Sequence, residues 1–520
     1  MTGAGADPAG PLDRALGTLT PDQRRAVESP AEALAVLAGA GSGKTRVLTL
    51  RAARRIAEGT AEADHTVVVT FTRRAAWELR GRLMRLGVPV AGSSTGGGVP
   101  GPGVRAGTLH QLALTLVRRH ALDARRPAPR VVEHRGRLLV EVTGDPDLAA
   151  AVGAEVGWAK ACRVDPDAYP AAASAAGRHP PVPARVVADH FRAYQALLAR
   201  RETLDLDDVL VRAADLVDDD PAFAEGVRWR YRHLSVDEFQ DVNPAQYRLL
   251  TRLLGGRRDL LAVGDPDQAI YGWNGADPGL LARLPSLVRG MEVVRLDTNH
   301  RSSPQVVAAA AAALGPEATG LPRSAAADGP PPVVTAYDDD VAEAEGVATL
   351  LARSAGAGRP WSAHAVLART NDQLRAVGTV LARRGVPHRL APGPEAPGRP
   401  PGPEERDAVE LATFHRAKGL EWPWVAVVGV EDGLVPIVHA TGAPALAEER
   451  RLLYVALTRA GQELHCSWAR RRTTAGGRQV DRTPSPWLAA VEAVSATGSG
   501  RPDPVDTGTR MAALRAALGT

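Results

Sequence analysis

The run LAVLAGAGSGKTRVLTLRAARRI, residues 34–56, decides how this chain is read. LAVLAG is a short apolar run of the kind that forms a buried strand, and RVLTLRAARRI has the apolar spacing of an amphipathic helix. Between them lies Ala38-Gly39-Ala40-Gly41-Ser42-Gly43-Lys44-Thr45. Glycines let backbone N–H groups wrap a polyphosphate, and the N-terminus of the following helix adds positive potential. Lys44 would neutralise charge on the β- and γ-phosphates, and the Thr45 hydroxyl would ligate Mg²⁺. A chance glycine-rich turn is the competing reading. The strand–loop–helix context and the Gly-Lys-Thr ending outweigh it, although the first position is Ala38 where the usual pattern has glycine.

Working outward, TVVVTF (66–71), HLSVDE (233–238), DLLAVGD (259–265), EVVRL (292–296), AVLAR (365–369) and WVAVVGV (424–430) also read as buried strands. Alternation with helical stretches predicts an α/β fold with parallel sheets. The strands fall into groups before and after about residue 290, so two lobes are expected. Val236-Asp237-Glu238-Phe239-Gln240-Asp241 ends one strand. An acidic residue there can hold Mg²⁺, and its neighbour can deprotonate an attacking water. Asp237 is assigned to the metal and Glu238 to the base.

Residues 113–202 look helical and interrupt the first lobe. Residues 92–103 read as a loop. APGPEAPGRPPGP (391–403) has six prolines in thirteen residues and is expected to be extended. The part after residue 490 is polar, with a short helix expected near 509–518. No fixed-period repeat is visible.

Composition narrows the class. The 520 residues are 44% hydrophobic and 23% charged, with a formal charge of +4. Two cysteines, Cys162 and Cys466, cannot build a disulfide framework or a four-cysteine metal site. The start, MTGAGADPAG, carries no secretory pattern, and no apolar run is long enough to span a bilayer. The expectation is a cytoplasmic protein without membrane association. Lysine is scarce: Lys44, Lys160 and Lys418 stand among 63 basic residues, the rest arginine. Seven arginines lie from Arg118 to Arg137, and five more are Arg470, Arg471, Arg472, Arg478 and Arg482. Such clusters are either solvated faces or phosphate-contacting surfaces.

With AxxGxGKT, DEFQD and then GDPDQAIYGWNGA (264–276) on the page, the chain resembles the UvrD/PcrA/Rep-like group of superfamily 1 DNA helicases. LTPDQRRAV (19–27) resembles the family's adenine-reading motif. VVVTFTRRAAWELRGRL (67–83), AGTLHQLA (106–113), LDTNHRSSPQVV (296–307), ATFHRAKGLEWPWV (412–425) and EERRLLYVALTRA (448–460) resemble its later motifs in order. The match covers about residues 18–490.

The resemblance implies two RecA-like P-loop lobes with ATP in the cleft between them. The first lobe would be 1–112 with 203–290, and 113–202 a helical insertion. The second would be 291–390 with 404–490; 391–403 stands as a proline-rich stub, and 491–520 as a tail. It also implies roles. Gln23 would read adenine, Arg46 would lie near the nucleotide, and Gln268 would sense the γ-phosphate. Arg301 and Arg459 would act as arginine fingers, Glu421 would bind ribose, and His300 would stack on adenine. Phe71, Thr72, His110, Tyr271, Trp273, Arg369 and Asn371 would line single-stranded DNA. Base stacking on an aromatic contributes roughly 1–3 kcal/mol per base and tolerates any sequence.

Three departures stand out. His300 replaces a tyrosine, Asn274 replaces a frequent arginine, and Leu109-His110-Gln111 differs from the usual Phe-His-Ser. Only 114 positions separate Arg301 from His415, where relatives carry a large accessory subdomain. The sequence also ends soon after the last motif, so a further DNA-binding, polymerase-binding or nuclease module is not expected. The implied function is a 3′-to-5′ ATP-dependent DNA motor acting on single strands and single-strand/duplex junctions, in repair or replication and with DNA-repair proteins as partners. The alternatives are a protein-displacing translocase and a nucleotide-switched DNA-binding subunit of a larger complex.

Overall fold

The computed structural model describes residues 10–92, 101–315, 318, 323–391, 407–473 and 477–498. The chain divides into two compact units, the first running to His300 and the second starting at Arg301. The expected stub beyond Ala391, residues 93–100 of the glycine-rich loop, and the tail beyond residue 498 with its expected short helix near 509–518 lie outside the described residues; the start of the expected tail belongs to helix Leu488–Gly498.

The first unit is built on a six-stranded, wholly parallel sheet. Its strand order is Arg105–Thr108, Thr66–Thr70, His233–Val236, Leu260–Gly264, Ala33–Ala38, Glu292–Leu296. Thr66–Thr70 and Leu260–Gly264 are buried along their whole length, as expected when helices cover both faces of a parallel sheet. One apolar layer joins Val68, Val263 and Val294 to Val47, Leu48 and Leu79 from the helices. The opposite layer joins Val69, Val236 and Ala262 to Leu112, Leu116, Leu210 and Leu249.

Two boundaries differ from the sequence reading. EVVRL falls in the second lobe by its place in the chain, yet Glu292–Leu296 pairs in register with Ala33–Ala38, Val36 opposite Val294. An apolar run announces a strand but not its sheet; pairing is decided only by which neighbour completes the buried face. The helical insertion also begins later than residue 113. Helix Leu109–Asp123 packs into the sheet's own core through Leu112, Leu116 and Val117. A separate core then forms around Leu139, Val152, Tyr169, Phe191 and Tyr194. That helical cluster is tied back by a short parallel pair, Arg130–Val132 with Thr203–Asp205. Lys160, buried, bonds Asp205 at 2.8 Å and Asp208 at 2.7 Å.

The second unit carries another mainly parallel sheet, ordered Val333–Asp339, Ala460–Thr473, Trp422–Val427, His364–Ala368, Val409–Thr413, His388–Leu390. Gln479–Asp481 adds one antiparallel strand at Ala460–Thr473. Only His364–Ala368 and Trp422–Val427 of these are legible as strands in the sequence. Arg472 lies between two buried carboxylates in this unit. Its Nε donates to Glu431 at 2.5 Å and its Nη2 to Glu343 at 2.6 Å. Glu343 also accepts from Ser467 Oγ and the Gly429 amide, and Glu431 from the Ala469 amide. Among the described residues no helix is long and apolar enough to cross a membrane.

Candidate functional site

A parallel sheet sends every strand out on one edge, so loops that follow different strands meet there. In the first unit that edge carries the phosphate loop after Ala38, Phe71 and Thr72 after Thr70, His110 after Thr108, Asp237 after Val236, Asp265 after Gly264 and Asn299 after Leu296. Residues from six separated stretches of sequence are thereby brought to one rim.

The phosphate loop is shaped by Gly41 (φ 71°) and Gly43 (φ 88°), a region that L side chains disfavour. A Cβ on Gly43 would also come within 2.8 Å of Gln23 Nε2. Gln23 is buried, and its amide donates to Ser42 O at 2.9 Å. The Ser42 hydroxyl donates to Gly39 O at 2.7 Å. From just beyond strand Glu292–Leu296, Asn299 Nδ2 donates to Ala40 O and the His300 amide to Gly41 O, both at 2.9 Å. These contacts tie down the carbonyls of Gly39, Ala40, Gly41 and Ser42.

Helix Lys44–Ala57 starts at the loop. Lys44 Nζ donates to Ala38 O at 3.1 Å and lies 3.7 Å from Asp265 Oδ2. Thr45 Oγ1 donates to Asp237 Oδ2 at 3.1 Å. Burial, and then the adjacent Glu238 charge, hold the Asp237 carboxyl above its ordinary range, with Lys44 opposing. Glu238 takes a left-handed conformation, φ 54°. For a residue other than glycine this costs about 1–2 kcal/mol, and such strain concentrates at functional sites. Gln240 Nε2 donates to Glu238 Oε2 at 2.5 Å, and Gln240 Oε1 accepts from the Asp265 amide at 2.9 Å. Gln268 Nε2 donates to Asp265 Oδ2 at 2.6 Å. Lys44, Glu238 and Gln268 are thus joined through Asp265 and Gln240, two residues to which the sequence reading assigns no role. Gly264 is required beside them: a Cβ there would come within 2.5 Å of Gln240 Oε1 and 2.7 Å of Leu281 Cδ2.

Thr45 and Asp237 suit Mg²⁺, a hard ion that takes few protein oxygens and fills its shell with water and substrate phosphate. Among the described residues no cluster of three or more histidine, cysteine or acidic side chains forms a ready-made metal cage.

Aromatic rings line the same edge. Phe71 stacks on Tyr271 at 4.8 Å between centroids, and Tyr271 lies 6.2 Å from Trp273. Trp273 is 54% exposed, a large apolar face presented to solvent. Its carbonyl accepts from Arg178 of the helical cluster at 3.3 Å. Burial raises the Tyr271 hydroxyl above its usual range. His110 shares a small cleft with Phe71, Asp237 and Glu238.

The remaining candidates are placed as follows. The Thr72 hydroxyl caps helix Arg73–Arg85, accepting from the Ala75 amide. Arg46 reaches back to Ala15 O and Thr18 O. In the second unit Arg301 pairs with Glu421 at 2.5 Å. Arg369 is held by Glu449 in a two-pronged ion pair at 3.1 and 2.7 Å. Arg459 is 2% exposed and donates to Val455 O, Leu420 O and Thr458 Oγ1. Asn371 is exposed at the start of helix Asn371–Arg383. Buried Arg51 is a positioning residue that the sequence does not reveal. It bonds carbonyls of Ala26, Ser29 and Ala31, and so fixes the helix that carries Gln23. Desolvation lowers its pKa to about 10.

The chain as a whole is similar to known proteins. The family model described as the UvrD/REP helicase N-terminal domain matches residues 19–288. The UvrD-like helicase C-terminal domain matches residues 294–393 and 401–471. The ATP-dependent DNA helicase UvrD2 of Mycobacterium tuberculosis is 34% identical over 92% of this chain and 82% of its own length. DNA helicase II of Escherichia coli is 32% identical over 73% of this chain and 52% of its own. The helicase PcrA of Bacillus subtilis is 29% identical over 73% and 51%.

Proposed function

From the premise that this chain belongs to the UvrD/REP helicase family, we propose how its own residues run an ATP-driven DNA motor. The chain is an ATP-dependent DNA helicase or translocase. Lys44 and the loop amides hold the β- and γ-phosphates, and Gln23 reads the adenine. Thr45 and Asp237 hold Mg²⁺. The ion, when bound, neutralises phosphate charge. Glu238 accepts the proton of the attacking water. Gln268 registers the γ-phosphate and passes the change through the Asp265–Gln240 chain. Arg301 and Arg459 supply positive charge to the transferred phosphoryl group, a role worth about 10³–10⁵ in rate in other phosphoryl-transfer enzymes. His300 and Glu421 contact base and ribose.

Phe71, Tyr271 and Trp273 form the stacking track for single-stranded DNA, with Thr72, His110, Arg369 and Asn371 as further contacts. The single observation that carries this reading is the convergence of Lys44, Thr45, Asp237, Glu238 and Gln268 on the edge that also bears the stacked rings. Movement is 3′ to 5′, on single strands and at single-strand/duplex junctions, in cytoplasmic DNA repair or replication alongside repair proteins.

A second reading, a translocase that displaces proteins and unwinds weakly, has its own support. The alignment with UvrD2 runs over 583 positions but takes in about 480 residues of this chain. That relative therefore carries on the order of 100 residues inserted against it. One experiment separates the two: ATP hydrolysis and strand separation on blunt, 3′-tailed and 5′-tailed duplexes. Unwinding of the 3′-tailed duplex alone supports the helicase. Single-strand-stimulated hydrolysis without strand separation supports the translocase, and absence of stimulation rejects both.

A further inference from the structure

An open groove of about 560 Å³ lies in the first unit, apart from the nucleotide edge. One wall is the face of helix Pro244–Leu254 that carries Tyr247, Leu250 and Leu254. The facing wall is the end of helix Leu280–Leu287 with Val288 and Arg289 beyond it. Arg258 and Leu260 close the groove where strand Leu260–Gly264 begins, the end opposite Asp265. An occupant there leaves the nucleotide edge free.

The lining has a definite chemistry. The floor is apolar and buried, with Phe239, Leu250 and Leu254 in it, and Leu287 stands 53% exposed at the lip. Arg289 is exposed and has no ion pair among the described residues. Among the described residues Arg258 is engaged only by an exposed pair with Glu32 at 3.2 Å, and such pairs exchange partners at little cost. The half-buried Tyr247 hydroxyl has no hydrogen-bond partner among the described residues, and burial raises its pKa. Arg257, also at the rim, is used internally, donating to Leu253, Leu254 and Tyr231 carbonyls. No carboxylate is among the described residues that line the groove; Glu32 meets it only through its pair with Arg258.

We propose that the groove is a docking site for an acidic, amphipathic segment of a partner protein. Its apolar side chains enter between the two helices, and its carboxylates are met by Arg258 and Arg289. The amphipathic-segment-in-groove mode needs an apolar floor with spaced anchors and a charged rim of one sign, and both are present. Tyr247 supplies a hydroxyl to the segment's backbone. A nucleic-acid strand fits less well, because the lining offers a base only the half-buried ring of Tyr247, Phe239 being fully buried, and no set of exposed rings.

The test uses the full chain and a fluorescein-labelled twelve-residue probe of aspartates interspersed with leucine and phenylalanine, followed by anisotropy. Two control probes replace aspartate by lysine, or the apolar residues by serine. Saturable binding of the acidic amphipathic probe is expected, at least tenfold weaker for each control. Arg258→Glu with Arg289→Glu, and separately Leu287→Asp, should each weaken it at least tenfold. The same variants should keep wild-type DNA-stimulated ATP hydrolysis, which shows that they fold and keeps this result independent of the motor assignment. Equal binding of all three probes, no binding, or unchanged affinity in both variants overturns the proposal. So does loss of oligonucleotide binding in the arginine variant, which would make the groove a nucleic-acid face.

Discussion

Glu238 stands in a backbone conformation that costs energy, and its carboxylate is bonded by Gln240, itself bonded to the Asp265 amide. That arrangement holds the carboxylate in place, as the proposed role of general base requires. Glu238→Gln should lower the turnover number at least 100-fold while nucleotide and DNA binding stay measurable, since general-base catalysis contributes about 10²–10⁴. Lys44→Ala should abolish turnover through loss of phosphate binding. Steady-state hydrolysis paired with equilibrium nucleotide binding distinguishes the two, and full activity in either variant contradicts the assignment. A second residue-scale expectation concerns pH. Burial, then Arg369 and Lys418, lower the His415 pKa to about 4. The folded state thus keeps His415 neutral where the unfolded chain protonates it. Its contribution is fully present above about pH 6.5 and is lost as pH falls towards 4, by up to about 3 kcal/mol. Denaturant unfolding across that window should show a shallower loss for His415→Gln than for the wild type; identical slopes would remove His415 as a cause.

At the scale of elements, the second unit is fastened through Arg472. This one guanidinium joins helix Asp340–Gly356, through Glu343, to the segment after strand Trp422–Val427, through Glu431, from its own place on Ala460–Thr473. Both carboxylates are almost inaccessible. Arg472→Ala leaves them buried without that cation, a situation that costs about 3–5 kcal/mol. A matching fall in unfolding free energy is expected, with the thermal transition of the variant shifted down. A shift within the error of a surface substitution would mean that the carboxylates protonate or find water instead. In the first unit, Asp259 plays the matching part. It accepts from Arg55 on helix Lys44–Ala57 and bonds His233 at the start of its neighbouring strand. Burial opposes its ionisation, but these partners win and bring its pKa to about 2.

For the whole molecule, the net charge of +4 on 520 residues is too small to attract a polyanion by itself. On the proposed reading, affinity for DNA comes from local arginines and stacked rings. Binding to a single strand should therefore weaken as salt rises, with a slope of about −0.7 per phosphate neutralised. Fluorescence titrations at several salt concentrations measure it. A flat response would leave stacking alone to hold the strand, and would count against an arginine-lined track.

Local order along the chain carries the proposed chemistry. The strand–loop–helix at 34–56, the acidic pair at Asp237 and Glu238, and Gln268 after Gly264 are legible because phosphate binding and metal binding demand particular residue types at fixed offsets. The α/β class is legible because buried parallel strands are short apolar runs. What the linear order cannot carry is adjacency. That Asn299 bonds the loop at Ala40, that Arg51 holds the helix of Gln23, and that Arg369 is committed to Glu449 all depend on residues far apart in the chain. Which sheet Glu292–Leu296 joins depends on a choice of neighbour. Strands such as Arg105–Thr108 and Ala460–Thr473 escape a linear reading for a related reason. One is too short and the other too polar to announce itself, and each becomes a strand only because a neighbour offers its backbone a partner.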